Sequence, residues 1–107
     1  MDDICRRKGT TLLIHLPQEL DHPVSEQIRL QSDEILEEHN IRQIDFDFRK
    51  TTFMDSSGIG LIMGRFRRMA PIGGKVRIIH ASDRMQKILA MSGITRVIEV
   101  EPERGWA

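Results

Sequence analysis

The sequence predicts an α/β fold, with a mixed, mostly parallel sheet and helices packed mainly on one face of that sheet. Turn signals at regular intervals separate segments whose apolar residues recur with a period of about two or about 3.6, as in alternating strands and helices. Residues 44–48 alternate apolar and polar side chains, which is typical of a sheet covered on one face. A length of 107 residues suffices for one hydrophobic core but not for two, so residues 1–107 are predicted to form one domain.

The predicted element order is β-β-α-β-α-β-α-β, and the chain begins with a hairpin. Residues 1–7 are a weak strand candidate, and a turn at residues 8–9 leads into a buried strand over residues 10–16. Pro23 suits the first position of a helix whose apolar residues recur at helical spacing as far as residues 39–40. The alternating strand described above comes next.

A second helix is predicted over residues 57–69, and the Pro-Gly-rich residues 71–74 end it. Gly58 and Gly60 are assigned to the tight turn between strand and helix. Gly60 and Gly64, four residues apart, are expected to let the helix lie close to the sheet. The apolar side of this helix is predicted to consist of Ile59, Ile62, Met63 and Phe66.

The last third of the chain predicts a strand, a short helix and a final strand. The strand covers residues 75–80, and either Ser82 or Asp83 can cap the helix that follows. Gly93 is free to adopt a positive φ and is predicted to end that helix. The final strand is predicted over residues 96–100.

The charge balance disfavours nucleic acid as a partner. The chain has 16 Lys plus Arg and 16 Asp plus Glu, a formal net charge of +0, whereas domains that bind phosphate backbones usually carry a basic excess. The single cysteine, Cys5, cannot form an internal disulfide, and no run of about 18 apolar residues is present. We therefore expect a cytoplasmic protein without a membrane partner. We also expect a monomer, with a frayed, flexible tail over residues 102–107.

The strongest basic cluster consists of Arg65, Arg67 and Arg68, with Arg49 and Lys50 upstream. One interpretation is a solvated helix face on which the long side-chain stems cover apolar surface. The other is a patch that docks an acidic partner.

Three kinds of site are disfavoured by spacing, namely a dinucleotide-binding loop, a catalytic serine and a metal site. The third glycine of residues 58–64 comes one residue too late for the G-x-G-x-x-G dinucleotide fingerprint. A catalytic serine at Ser56 or Ser57 would need a base and an orienting acid, and the G-x-S-x-G motif is absent. Histidines 15, 22, 39 and 80 lack the spacing of metal ligands, and His15 and His80 are interpreted as ordinary strand residues.

Asp55, Ser56 and Ser57 lie between a predicted strand and a predicted helix, where free backbone N–H groups and the helix dipole favour an anion. These side chains supply more capping groups than one helix needs, so one hydroxyl can cap while the other stays free. The residues alone therefore make Ser56 or Ser57 a candidate modification site without deciding between them.

Residues 53–69, FMDSSGIGLIMGRFRRM, resemble the signature loop and helix of STAS-domain anti-sigma factor antagonists, which release a bacterial sigma factor by capturing its inhibitor. The resemblance covers nearly the whole chain and includes residues 19–21, 45–48, 73–74 and 91–94. It implies the STAS fold, a sheet with helices on one side, in agreement with the alternating strand.

The resemblance also implies a mechanism. The family's phosphorylated residue is the serine directly after the aspartate, here Ser56, and the donor is the anti-sigma factor, a serine kinase of the histidine-kinase-like ATPase fold. ATP and magnesium would belong to that kinase, so the chain itself is expected to have no cofactor, no metal and no catalytic residues. A serine phosphatase would reverse the modification. The partner-binding loop implied by the resemblance comprises Asp21, Asp55, Ser56, Ser57, Gly58, Ile59 and Gly60.

Unphosphorylated protein is expected to bind the anti-sigma factor and release sigma, and phosphorylated protein is not. The alternative is a STAS scaffold, or an anion- or nucleotide-sensing module in a stress-signalling or transport complex. The sequence leaves open whether a sporulation or a general stress pathway is served. It departs from the family at Pro17-Gln18, where many members have glycine before Glu-Leu-Asp, so the loop with Asp21 is expected to differ in shape. It also ends soon after the last predicted strand, where many members add a helix.

Overall fold

A computed structural model describes residues 4–102 of the chain. The strands are β1 Cys5–Lys8, β2 Thr11–His15, β3 Glu19–Leu20, β4 Gln43–Asp47, β5 Phe53–Met54, β6 Lys75–Ala81 and β7 Glu99–Pro102. The helices are α1 His22–Glu38, α2 Ser56–Met69 and α3 Asp83–Met91, with 3-10 turns at Ala70–Ile72 and Ile94–Arg96. The predicted order is confirmed, with β3 and β5 as additions. The predicted strand at residues 1–3 and the predicted tail at residues 103–107 lie outside the described residues.

The main sheet is mixed and mostly parallel, as predicted. Its strand order is β1-β2-β4-β6-β7, with β1 antiparallel to β2 and parallel pairing between the remaining neighbours. The register aligns Ile14 with Phe46 and Phe46 with Ile78 across the three central strands. Because side chains alternate between faces along a strand, this register places the apolar residues on one side of the sheet.

The three helices pack on that apolar face. Leu12, Ile14, Ile44, Phe46, Val76 and Ile78 of the sheet are all buried there. The same hydrophobic cluster receives Ile28 from α1, Ile62 from α2, and Met85 and Leu89 from α3. The predicted one-sided arrangement of helices is therefore confirmed, and this cluster is the core of the domain.

On the opposite face of the sheet, the two aspartates of β4 are buried rather than exposed to solvent. Asp45 and Asp47 are only 7% and 8% exposed. Asp45 accepts hydrogen bonds from Arg77 Nε and Nη2 at 3.1 and 3.0 Å, and Arg77 Nη1 also bonds Glu101 at 2.8 Å. Charged side chains of neighbouring strands thus cover this face by pairing with one another.

Asp47 lies between two histidines, so the interpretation of His15 and His80 as ordinary strand residues is incomplete. His15 Nδ1 lies 3.1 Å from Asp47 Oδ2, and His80 Nδ1 lies 3.0 Å from Asp47 Oδ1. The N–H of Arg49 donates a third hydrogen bond to Oδ1 at 2.9 Å. Burial by itself raises the pKa of the Asp47 carboxyl, but these hydrogen bonds outweigh it and hold the pKa below its ordinary value of 3.8.

Gly58 is required for packing, whereas the roles assigned to the other two helical glycines are wrong. A Cβ at Gly58 would lie 2.5 Å from Met54 Cγ and 2.8 Å from Leu20 Cδ2. At Gly60 and Gly64 an added Cβ would meet no atom within 4 Å. Of the three glycines, only Gly58 therefore lies where a side chain would meet the strands. None of the three has a positive φ, so the turn role assigned to Gly58 and Gly60 is also wrong.

Arg65 does not belong to a solvated basic face, which corrects the interpretation of that cluster. Its side chain is 7% exposed, and Nη1 donates to Ser32 Oγ at 2.8 Å and to Asp33 Oδ1 at 2.6 Å. Arg68 reaches the same Asp33 oxygen at 3.0 Å from an exposed position. Arg65 therefore joins α2 to α1, and the exposed members of the predicted patch are Arg49, Lys50, Arg67 and Arg68.

Several predicted boundaries shift, and α1 begins at His22 rather than at Pro23, because Asp21 is its N-cap. Helix α2 begins at Ser56 rather than at residue 57, because Asp55 is its N-cap. The last strand begins at Glu99 rather than at residue 96, because Gly93, with φ of 85°, leads into the 3-10 turn Ile94–Arg96.

Among residues 4–102, no helix has the length and apolar character needed to cross a membrane.

Gly58→Ala is expected to lower the free energy of unfolding by about 1–3 kcal/mol, because the new methyl overlaps buried side chains that must shift. Gly64→Ala in the same helix is the matched control and is expected to stabilise by about 0.5–1 kcal/mol, since it removes a flexible helical glycine without a clash. Denaturant unfolding measures both. Equal free energies of unfolding for the two variants would contradict the assignment.

Asp47→Asn is expected to destabilise the protein at neutral pH and to have less effect in acid. Because the pKa of the carboxyl is lowered in the folded protein, the carboxylate stabilises the fold above its ordinary pKa of 3.8. That stabilisation is lost as the pH falls through the folded pKa. Thermal unfolding across this range compares wild type with Asp47→Asn, and Glu34→Gln removes an exposed carboxylate of α1 as the control. A Tm difference that is independent of pH contradicts this account.

Candidate functional site

Two helices begin side by side at one edge of the molecule. The short strands β3 and β5 pair in parallel, with Glu19 opposite Phe53 and Leu20 opposite Met54. The N–H of Asp55 also donates to the carbonyl of Leu20 at 3.3 Å. Since each strand leads directly into a helix, this pairing places the N-termini of α1 and α2 next to each other. Two-residue strands have no periodic signal of their own, so the sequence pattern did not predict them.

Asp21 and Asp55 cap these helices in the same way. Their backbone conformations are nearly identical, with φ of −101° and −103° and ψ of −173° in both. Asp21 Oδ1 accepts from the N–H of Val24 at 3.2 Å, and Asp55 Oδ1 accepts from the N–H of Ser57 at 2.8 Å. Asp55 alone supplies the side-chain cap, for which the sequence left Asp55, Ser56 and Ser57 as candidates. Both serine hydroxyls are therefore left for other contacts.

The two serines differ in their surroundings. Ser57 is half-buried, and its Oγ lies 3.2 Å from Nδ1 of His22, the first residue of α1. Ser56 is exposed at the first position of α2, and no side-chain hydrogen bond within residues 4–102 involves it. The contact between His22 and Ser57 was not foreseen, because 35 residues separate them.

The remaining residues of the predicted loop divide between the surface and the interior. Ile59 is half-buried and Gly60 is exposed. Gly58 is buried against Met54 and Leu20, so it shapes the site without lining its surface. Phe53, which the sequence analysis did not single out, is 48% exposed directly beside the loop. An exposed aromatic side chain next to a polar loop is typical of a protein contact surface.

The geometry does not resemble that of a serine hydrolase. His22 contacts Ser57 rather than Ser56, and no carboxylate among residues 4–102 hydrogen-bonds the other side of its ring. A hydrolytic serine needs a base that is itself oriented by a third group. Within the same residues no group of at least three His, Cys, Asp or Glu side chains could hold a metal ion. Burial raises the pKa of the Cys5 thiol to about 11, so this thiol is a weak nucleophile at neutral pH.

The sequence profile of the STAS domain matches residues 4–107 of the chain. An anti-sigma F factor antagonist of Paenibacillus polymyxa is 32% identical over 89 residues, which cover 83% of this chain and 76% of that relative. The anti-sigma factor antagonist SpoIIAA in its unphosphorylated form aligns with a TM-score of 0.80 at 30% identity, covering 90% of this chain and 84% of that chain. The phosphorylated form of SpoIIAA from Bacillus gives a TM-score of 0.73 at 31% identity, with 90% and 87% covered. The chain therefore belongs to the STAS domain family and is homologous to its anti-sigma factor antagonists, as the resemblance of residues 53–69 predicts.

Proposed function

We propose that this protein is an anti-sigma factor antagonist whose unphosphorylated form binds an anti-sigma factor kinase and thereby releases sigma, and that phosphorylation of Ser56 ends this binding. The observation that carries the proposal is the exposed, unengaged hydroxyl of Ser56 at the N-terminus of α2, beside two capping carboxylates. The anti-sigma F factor antagonist and the two forms of SpoIIAA among the homologues support the same role.

The surroundings of the two serines favour Ser56 as the phosphorylated residue. A kinase must reach the hydroxyl, and the hydroxyl must be free of competing contacts. Ser57 is half-buried and engaged with His22 at 3.2 Å, so its phosphorylation would require this contact to break. Ser56 meets both conditions without a change in the fold.

The fold is expected to tolerate the phosphate. Phosphoserine adds roughly −1.5 to −2 charges at pH 7, and a helix N-terminus stabilises negative charge. Ser56 lies in the first turn of α2, which contains no acidic residue. Phosphorylation is therefore expected to leave the domain folded and to act on binding.

The effect on binding follows from the charges around the serine. Asp55 precedes Ser56 directly, and the pairing of β3 with β5 brings Asp21 to the same edge of the molecule. A dianion added to these carboxylates, against an acidic or desolvated surface of the partner, would cost several kcal/mol of binding free energy. Each ~1.4 kcal/mol is a factor of ten in affinity. Loss of the complex on phosphorylation follows from this arithmetic.

In this proposal, partner enzymes add and remove the phosphate on Ser56. We assign the phosphate transfer, with ATP and magnesium, to the anti-sigma factor kinase and the removal of the phosphate to a serine phosphatase, so that this chain acts as a regulatory non-enzyme. The homology to an anti-sigma F factor antagonist favours a partner of that type and the sporulation-type pathway over general stress.

Ser56→Ala is expected to bind the anti-sigma factor as the unmodified protein does and to stay bound when ATP is added. Ser56→Asp is expected to bind at least about tenfold more weakly, because it adds a charge at the contact surface. The matched control is Ser57→Ala, which removes the neighbouring hydroxyl and is expected to be phosphorylated and released normally. Titration calorimetry with the cognate anti-sigma factor, followed by mass spectrometry after addition of ATP, measures both effects.

Phosphate found on Ser57, or no phosphate at all, would refute Ser56 as the phosphorylated residue. Unchanged binding of both Ser56 variants would favour the scaffold or anion-sensing alternative.

In the unphosphorylated protein, Phe53→Ala is expected to weaken binding to the anti-sigma factor by about tenfold. Exposed aromatic residues often supply the largest single contributions to the binding free energy of an interface. Ile72→Ala is the control, since Ile72 is 54% exposed but follows the opposite end of α2. The same calorimetric titration compares the two variants. Similar losses from both substitutions would show that Phe53 does not lie in the contact surface.

A further inference from the structure

An open cavity lined by both charged and apolar side chains lies on the face of the main sheet that the helices leave uncovered. It has a volume of about 530 Å³ and lies at the carboxyl-terminal edge of β2, β4 and β6. In open α/β sheets this edge is the usual position of bound ligands. None of its lining residues belongs to the predicted partner-binding loop, which comprises Asp21 and residues 55–60. The polar lining residues are Arg6, His15, Asp47, Arg49, Lys50 and His80.

The charges of this lining favour an anion. Arg6, Arg49 and Lys50 are cationic, whereas Asp47 is the single carboxylate among the lining residues. The Asp47 oxygens are already occupied, because Oδ1 accepts from the Arg49 N–H and from His80, and Oδ2 accepts from His15. The carboxylate therefore holds the site together internally and leaves an excess of positive charge facing the cavity.

The two imidazoles are oriented by the same carboxylate. An ionised carboxylate can only accept, so Nδ1 of each ring donates to Asp47 and Nε2 is the ring nitrogen left for other partners. In His80 that partner is Arg49, because Nη2 of the guanidinium donates to Nε2 at 3.0 Å. A guanidinium at this distance opposes a bound metal cation. Together with Lys50 it forms a set of cationic donors that suits an oxyanion.

The backbone at His80 is adapted to this arrangement. His80 has a φ of 60°, the left-handed region that side chains other than glycine rarely adopt, and it lies where the β6–β7 register shifts between Ile78 and Ala81. Ile79 and His80 are consecutive residues, yet both line the cavity, which a regular strand would not allow. Residues with strained backbone conformations of this kind are often found at binding sites.

We propose that this cavity is a binding site for a phosphate-class oxyanion, either free phosphate or the phosphate group of a small molecule, with Arg49 and Lys50 as its principal donors and His80 as the residue that orients the Arg49 guanidinium. This site goes beyond the proposed antagonist function and does not depend on it. His15 is the second imidazole of the site and Asp47 is its positioning residue.

Inorganic phosphate titrated into the full chain tests the proposal, with two-dimensional NMR of the histidine rings and the arginine side chains as the readout. Chloride at matched ionic strength separates binding from general screening. Wild type is expected to show saturable shifts at His15, His80 and Arg49. Arg49→Gln and His80→Asn are expected to weaken binding about tenfold or more. Asparagine is chosen at position 80 because it tolerates the left-handed conformation, so this variant keeps the fold while losing the imidazole.

Arg67→Gln, which removes an exposed guanidinium from α2, is expected to bind phosphate as the wild type does. Absence of saturable shifts at the two histidines in the wild type would overturn the proposal, as would equal losses of affinity in the Arg49 and Arg67 variants. If ring shifts saturate with inorganic phosphate, competition by a phosphomonoester then distinguishes free phosphate from a phosphorylated small molecule as the ligand.

Discussion

The parallel pairing of two very short strands, β3 and β5, is the constraint on which the functional edge of this domain depends. Because Leu20 is paired with Met54, the chain enters α1 and α2 from adjacent positions and with nearly the same capping geometry at Asp21 and Asp55. Helix α2 lies directly against both strands at position 58, where a Cβ would force the side chains of Met54 and Leu20 to shift. A few backbone contacts and one glycine thus bring together two carboxylates and two positive helix ends that are far apart in the chain.

This arrangement separates the stability of the domain from the proposed switch. The cap of α2 is made by Asp55, and Ser57 is engaged with His22, so Ser56 has no structural duty within residues 4–102. A charge added to a residue with no structural duty, at a helix end that favours anions, alters the surface without opposing the fold. A regulatory residue in a small domain benefits from such independence, since the net stability of a folded domain is only about 5–15 kcal/mol.

Buried charge on both sides of the sheet gives the domain its second set of constraints. Among the helices, Arg65 joins α2 to α1 through Ser32 and Asp33. On the open face, Asp45 is paired with Arg77, and Asp47 lies between two imidazoles. Each of these buried groups has a partner on a different helix or strand. The contacts therefore fix how the neighbouring elements align. The same face therefore supplies both the covering of the sheet and the cavity at its edge.

The sequence by itself determined the order of the elements, the apolar face of the sheet and the helix end at Gly93. These features depend on periodicity, capping and backbone freedom within short segments, which are local properties of the chain. The resemblance of residues 53–69 added the family. Only the tertiary structure decided which serine hydroxyl is free, that Arg65 is buried, and that His15 and His80 share one aspartate. Those outcomes rest on contacts between residues 32 to 35 positions apart, which arise from strand register and helix packing and leave no periodic signal in the sequence.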